Sequence, residues 1–298
     1  MQRQAAIPVS ERLLFVVLAL AASVWLALVP ESMSPQAQLI ILAVLVAFLG
    51  MPHGALDPWI AQQIGWCGTF RQSLLFNAGY LAIAGAVVLL WLWLPVASLL
   101  VFLLISAWHF SEDWLHELPK AARLAAGGLL LLMPIGFHLE RVAEIFAHLS
   151  GPGGAVLAHQ LAIMPWGLAA LMGAVIALAL WRGSWFCALE LACLLVLAWV
   201  CDPLIYFIIY FCALHSPRHL LGLFASANQT VRPKLIRMTV IYTSATLLLL
   251  AALWMVWPPM AADSKILQLV FIGLAAVTVP HMMLIAWARY ASAQGAKP

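Results

Sequence analysis

Apolar residues in this chain come in long unbroken runs, each ended by a short polar, charged or proline-bearing break, with little strand-like alternation between them. An α-helix needs about 17 to 25 such residues to cross a bilayer's hydrocarbon. The runs lie at about 13–29, 38–57, 74–94, 96–114, 123–138, 160–181, 185–201, 203–224, 238–257 and 266–288. The pattern predicts an all-α fold, a polytopic membrane helical bundle of about ten transmembrane helices, forming a single transmembrane domain over 1–298. The first run follows Arg3 and Arg12 as a signal peptide would, yet it continues to Val29, long enough to span as a retained anchor. Between the fifth and sixth runs, Leu139, Val142, Phe146 and Leu149 recur at helical spacing. That spacing predicts an amphipathic segment over about 139–159, lying flat in the external interface and interrupted by Gly151-Pro152-Gly153-Gly154.

Composition removes the soluble alternatives. The chain is 65% hydrophobic and 8% charged, against roughly a quarter charged in a soluble domain. Too few charges remain to cover a cytosolic enzyme. Those present set an orientation. With the N-terminus inside, Arg3, Arg12, Arg71, Lys120, Arg123, Arg182, Arg232, Lys234, Arg237, Arg289 and Lys297 fall on the cytoplasmic side, and only Arg141 and Lys265 fall outside. Both termini are therefore expected in the cytoplasm, and the chain in a cell (inner) membrane among lipids. A net charge of +3 leaves no nucleic-acid footprint. The five cysteines sit mainly in apolar runs without CxxC spacing and read as buried small residues.

Nine histidines are many for so apolar a chain. His53, His109, the pair His215 and His219, and His281 lie in the second, fourth, eighth and tenth runs, all crossing in the same direction. At 1.5 Å rise per residue they fall about 3 to 9 Å beyond the membrane centre. Ionisable groups at such depth are expensive and functional by default. His116, His138, His148 and His159 fall at or beyond span ends and read as interfacial. His215 and His219, four residues apart, share a helical face, as two ligands of one ion do. Pro217 between them should distort the turn. Asp57 follows His53, and Asp113 follows His109, by four residues each, with Glu112 alongside; these acids are placed to take the second N–H of a metal-bound imidazole, or to act as ligands themselves. Arg218 is either their counter-charge or a snorkelling arginine. Imidazole-rich sites suit iron, zinc or copper.

Three segments carry a resemblance: Pro52-His53-Gly54-Ala55-Leu56-Asp57, then Trp108-His109-Phe110 followed by Glu112-Asp113, then His215-Ser216-x-Arg218-His219. In this order they resemble the Brp/Blh family of bacterial and archaeal membrane β-carotene 15,15′-dioxygenases, although Ser111 stands where many relatives have glycine. The resemblance implies cleavage of the central double bond of β-carotene, or a related carotenoid, by O₂ to give retinal. It implies Fe(2+) held by His53, His109, His215 and His219; His281, outside the three motifs, reads from its placement as a gate, outer group or alternative ligand, and Asp57, Glu112 and Asp113 as outer groups or alternative ligands. No catalytic side chain beyond the metal centre is required, because iron and oxygen carry the hard step. A carotenoid dissolved in the bilayer should enter laterally, past Trp108, Phe110, Trp114, Tyr206, Tyr210, Phe211 and Trp287. The rival readings are non-enzymatic: a metal transporter, a haem-binding electron carrier or a carotenoid-binding protein. The apolar outer halves of the histidine-bearing runs argue against a transporter, and five histidines exceed what a pair of haem ligands needs.

Overall fold

The computed structural model describes residues 9–29 and 33–293, so Arg3 and Lys297 lie outside the described residues. Every regular element among them is helical. The α-helices are α1 (Val9–Leu28), α2 (Pro35–Leu45), α3 (Asp57–Gln63), α4 (Phe70–Trp93), α5 (Pro95–Ser111), α6 (Lys120–Phe137), α7 (Leu139–Ser150), α8 (Pro152–Leu161), α9 (Pro165–Trp181), α10 (Trp185–Val200), α11 (Pro203–Tyr210), α12 (Ser216–Ser226), α13 (Arg232–Val256) and α14 (Ala262–Ala293). Polar punctuation starts them. Ser34 accepts from Ala37 N–H at the head of α2, Thr69 and Gln72 form a capping box on α4, and proline sits in the first turn of α5, α8, α9 and α11.

Among the described residues, eight helical units are long and apolar enough to cross a membrane. Two of them are composite: Pro35–Gln63 runs from α2 through to α3, and Pro203–Ser226 joins α11 to α12. The expected count of about ten departs from this at the sixth and seventh runs. There α8 and α9 form one pair bent by 60°, and α10 is a shorter apolar helix. The bend has a local cause. Ala162 adopts extended backbone, and Met164 at ψ 118° leaves the helical region, as the residue before a proline is biased to do. The amphipathic segment expected over about 139–159 likewise divides in two, because Gly151 turns at φ 71° between α7 and α8. The apolar face of α7 (Val142, Phe146, Leu149) is buried.

Ion pairs tie the chain together near both ends of the bundle. Arg12 pairs with Glu117, Arg182 donates to the Glu117 carbonyl, and Arg289 pairs with Glu112. Arg141 binds Asp202 at 2.9 Å near the start of α11. All five cysteines are buried and free. The two glycines of the fifth run have different uses. A Cβ on Gly127 would stand 2.1 Å from the Ala107 carbonyl oxygen, so α6 touches the backbone of α5 just before His109; at Gly128 nothing lies within 4 Å.

Candidate metal centre

Helical winding breaks close to each of the histidine motifs. In the second span a π-helical stretch, Val46–Gly50, passes into a 3₁₀ turn, Met51–Leu56, which carries His53. In the eighth run the stretch Phe211–His215 is π-helical and regular α-winding resumes at Ser216, with Pro217 in its first turn. This is the form taken by the distortion expected of Pro217. A third break, the 3₁₀ turn Glu112–Trp114, follows His109. π-Bulges leave carbonyls without their helical partner, and the ones in the second span are used: Ser216 Oγ donates to the carbonyls of Leu49 and Gly50, and His53 Nδ1 lies 2.6 Å from Gly50 O. Gly50 itself has no room for a side chain, since a Cβ there would meet Phe211 at 2.6 Å.

These breaks bring all five intramembrane histidines together. Ring centroids of His109 and His215 are 4.7 Å apart, His215 and His219 4.6 Å, His53 and His215 5.5 Å, and His281 lies 5.5 Å from His53 and 5.3 Å from His109. Two overlapping triads result, His53–His109–His281 and His109–His215–His219, each with one nitrogen per ring within 4.8 Å of the others. Four rings are buried, and His219 keeps 28% side-chain exposure.

The carboxylates partner different histidines from those their spacing suggested. Asp113 takes His215 Nδ1 at 3.1 Å on both oxygens, receives the Tyr210 hydroxyl at 2.6 Å, and stands 3.3 Å from His219 Nε2. Asp57 takes His281 Nδ1 at 2.7 Å and receives the Tyr80 hydroxyl at 2.8 Å. The same-helix pairs His53–Asp57 and His109–Asp113 are not made, for a geometric reason. A 3₁₀ turn rotates about 120° per residue, so four residues no longer return to one face as they do in an α-helix. Glu112 is turned away from the histidines to Arg289, at 2.9 Å through Nη2.

The donor set fits a metal ion. His219 Nε2 and His281 Nε2 are buried with no hydrogen-bond partner, although buried polar atoms are nearly always satisfied. His109 Nε2 and His215 Nε2 sit 3.2 Å apart, close to the spacing of two neighbouring ligands each about 2.1 Å from one ion. His53, His215 and His281 each engage Nδ1 outward and keep Nε2 for the centre, as metal-bound imidazoles do.

The aromatic residues divide by role. Phe211 stacks on His215 at 5.5 Å, and Phe110 stands edge-on to it at 4.9 Å, so both wall the histidines. Tyr210 donates to Asp113, and Tyr206 is buried. Trp114 is fully buried and donates to Glu190 at 2.9 Å. Trp108 is 63% exposed on the outer surface, and Trp287, 49% exposed, packs on Trp66.

Sequence reasoning missed Tyr80 and an acid–base network behind the site. Arg218 is neither a snorkelling arginine nor the counter-charge of the three acids named beforehand. It is buried, forks onto Glu190 at 2.6 and 3.2 Å, stands 3.4 Å from Glu11, and donates to the Asp113 backbone carbonyl at 3.2 Å. The available signal was a lone glutamate, Glu190, in the middle of an apolar run.

Comparison with known proteins places the chain in a family. A family profile described as Beta-carotene 15,15'-dioxygenase matches residues 44–289, which hold all five histidines. The Beta-carotene 15,15'-dioxygenase of the uncultured marine bacterium 66A03 is 33% identical over 250 residues, covering 81% of this chain and 90% of that protein. The Probable beta-carotene 15,15'-dioxygenase Blh of Halobacterium salinarum is 28% identical over 300 residues, covering 86% of each. No solved structure matches.

Proposed function

The chain belongs to the β-carotene 15,15′-dioxygenase family, and from that premise we propose that it cleaves the central double bond of β-carotene with O₂ to give two molecules of retinal. The observation that carries the reading is the set of five clustered imidazoles from four helical runs, of which three turn Nδ1 outward. His53, His109, His215 and His219 are the proposed iron ligands, with His281 an additional candidate. When bound, ferrous iron supplies the activation of O₂ and the redox chemistry that cuts the alkene. One oxygen atom ends in each aldehyde, so the reaction balances without an external reductant.

The residues of the chain do the rest. Asp113 and Asp57 hold His215 and His281 in the tautomer that leaves Nε2 free and raise the basicity of both rings. Tyr210 and Tyr80 fix the carboxylates in turn. Phe110 and Phe211 keep water from the histidines. With no charge on the substrate to grip, positioning rests on shape. The proposed setting is a bacterial or archaeal cell membrane, with both termini and the Glu112–Glu117 end of the bundle in the cytoplasm and the α7–α8 pair on the outer side.

Expression in cells that accumulate β-carotene tests the activity. Loss of orange colour with retinal recovered by chromatography is expected; persistent colour with no aldehyde overturns it. Metal analysis of the purified chain tests the cofactor, since zinc content without turnover restored by ferrous iron removes the iron.

A further inference from the structure

An apolar groove of about 330 Å³ lies between α4, α5 and α14, at the lower end of the range for ligand pockets. None of the aromatics picked from the sequence lines it. Its walls include Leu90, Trp91, Ala97, Phe102, Ile105 and Thr278, and none of its lining residues is charged. Ile105 stands four residues before His109, and Thr278 three before His281, so one end of the groove is a helical turn from two of the imidazoles. The far end is floored by Trp91, which is buried, held by a 3.1 Å bond from Nε1 to Leu149 O, and packed against Phe102. Leu90, Leu94 and Val101 on its rim are exposed along the outer surface of the helices, so the groove opens sideways to the bilayer.

We propose that this groove holds one ring-bearing half of the carotenoid, and that its length selects the bond to be cut. The proposal rests on the carotenoid-cleaving reading above. A pure hydrocarbon offers no polar handle, so the position of cleavage has to be measured from a wall. Ala97 lies twelve residues before His109, about 18 Å along the helix at 1.5 Å per residue. Half of a polyene about as long as the hydrocarbon core is thick measures about 15 Å. A symmetric substrate whose first half reaches along the groove to Ala97 therefore presents its midpoint at the histidines. A phospholipid chain shares the apolar chemistry, but the lining carries no charged side chain to anchor a headgroup.

The test is to shorten the groove in the full-length chain with Ala97→Phe, with Ala97→Leu as a milder second variant. Leu89→Phe serves as control, on an exposed position of α4 outside the lining. Each is assayed on β-carotene and on a monocyclic apocarotenal that lacks one ring and the adjoining chain, with bound iron measured in parallel. The proposal requires kcat/KM for β-carotene to fall about tenfold, the equivalent of about 1.4 kcal/mol. Cleavage of the shorter substrate, which can enter by its truncated end, should fall less than that of β-carotene, and iron content and the control should stay unchanged. An equal fall on both substrates with iron retained, or no fall on either, overturns it. So does loss of a co-purifying phospholipid from the variants without loss of substrate selectivity. A wild-type chain that cleaves neither carotenoid fails the proposed function itself, a distinct result.

Discussion

Asp113 illustrates how chemistry at single residues depends on backbone winding. Its carboxylate serves His215, 102 positions away in sequence, and leaves His109 without a partner on Nδ1. The histidines were legible from the sequence as a set because each is a polar residue in an apolar run. Their partners were not, because the four-residue rule presumes α-winding that the turns at Met51–Leu56 and Glu112–Trp114 do not keep. Asp113→Asn leaves an amide at the bond to His215, and iron affinity should fall about 10- to 100-fold, read by competition with a chelator. His281 lay outside the recognised motifs, yet it has a buried ring, an aspartate on Nδ1 and a free Nε2. His281→Ala should therefore weaken iron binding at least as much as His219→Ala. X-ray absorption on both variants counts the imidazoles left on the ion, and unchanged coordination in His281→Ala removes it as a ligand.

At the scale of elements, the apolar runs read out most helices directly, since a run long enough to span is hard to bury any other way. What they could not show is where a helix changes pitch or turns in mid-run. Bends at Ala162–Met164 and pitch changes at Val46–Gly50 and Phe211–His215 depend on which carbonyls find a new donor, as Ser216 supplies for Leu49 and Gly50. Gly127 and Gly128 both interrupt the fifth run, and only the first makes a close contact. Gly127→Ala should destabilise the fold by about 1 to 3 kcal/mol through the α5 backbone. Gly128→Ala should be neutral or stabilising by up to about 1 kcal/mol. Unfolding of both variants in mixed micelles tests the contrast, and equal behaviour disproves the close approach.

Across the whole molecule, Glu11, Arg12, Glu117, Glu190 and Arg218 form a charged cluster that ties α1, α10, α12 and the segment after α5 to the carbonyl of Asp113. Counting positive charges gave an orientation but treated Arg12 as a surface residue, because pairings across a hundred positions leave no local trace. Removing one member strands the rest in a buried setting, so Glu190→Ala should cost about 3 to 5 kcal/mol. The double variant Glu190→Leu with Arg218→Met should recover much of that stability while iron affinity stays low, because the Asp113 carbonyl has lost its donor. Recovery of both would reduce the cluster to a purely structural role.

The partnership of Asp57 with His281 closes across 224 residues of chain, and this sets a timetable for assembly. Ribosomes add about 5 to 20 residues per second, so about 10 to 45 seconds pass between synthesis of the first histidine's segment and arrival of the last. During that interval an incomplete set of imidazoles waits inside the lipid. If His281 joins the four proposed iron ligands, the site is complete only once α14 has inserted, and cells short of iron should accumulate a finished apoprotein that the metal activates without new synthesis.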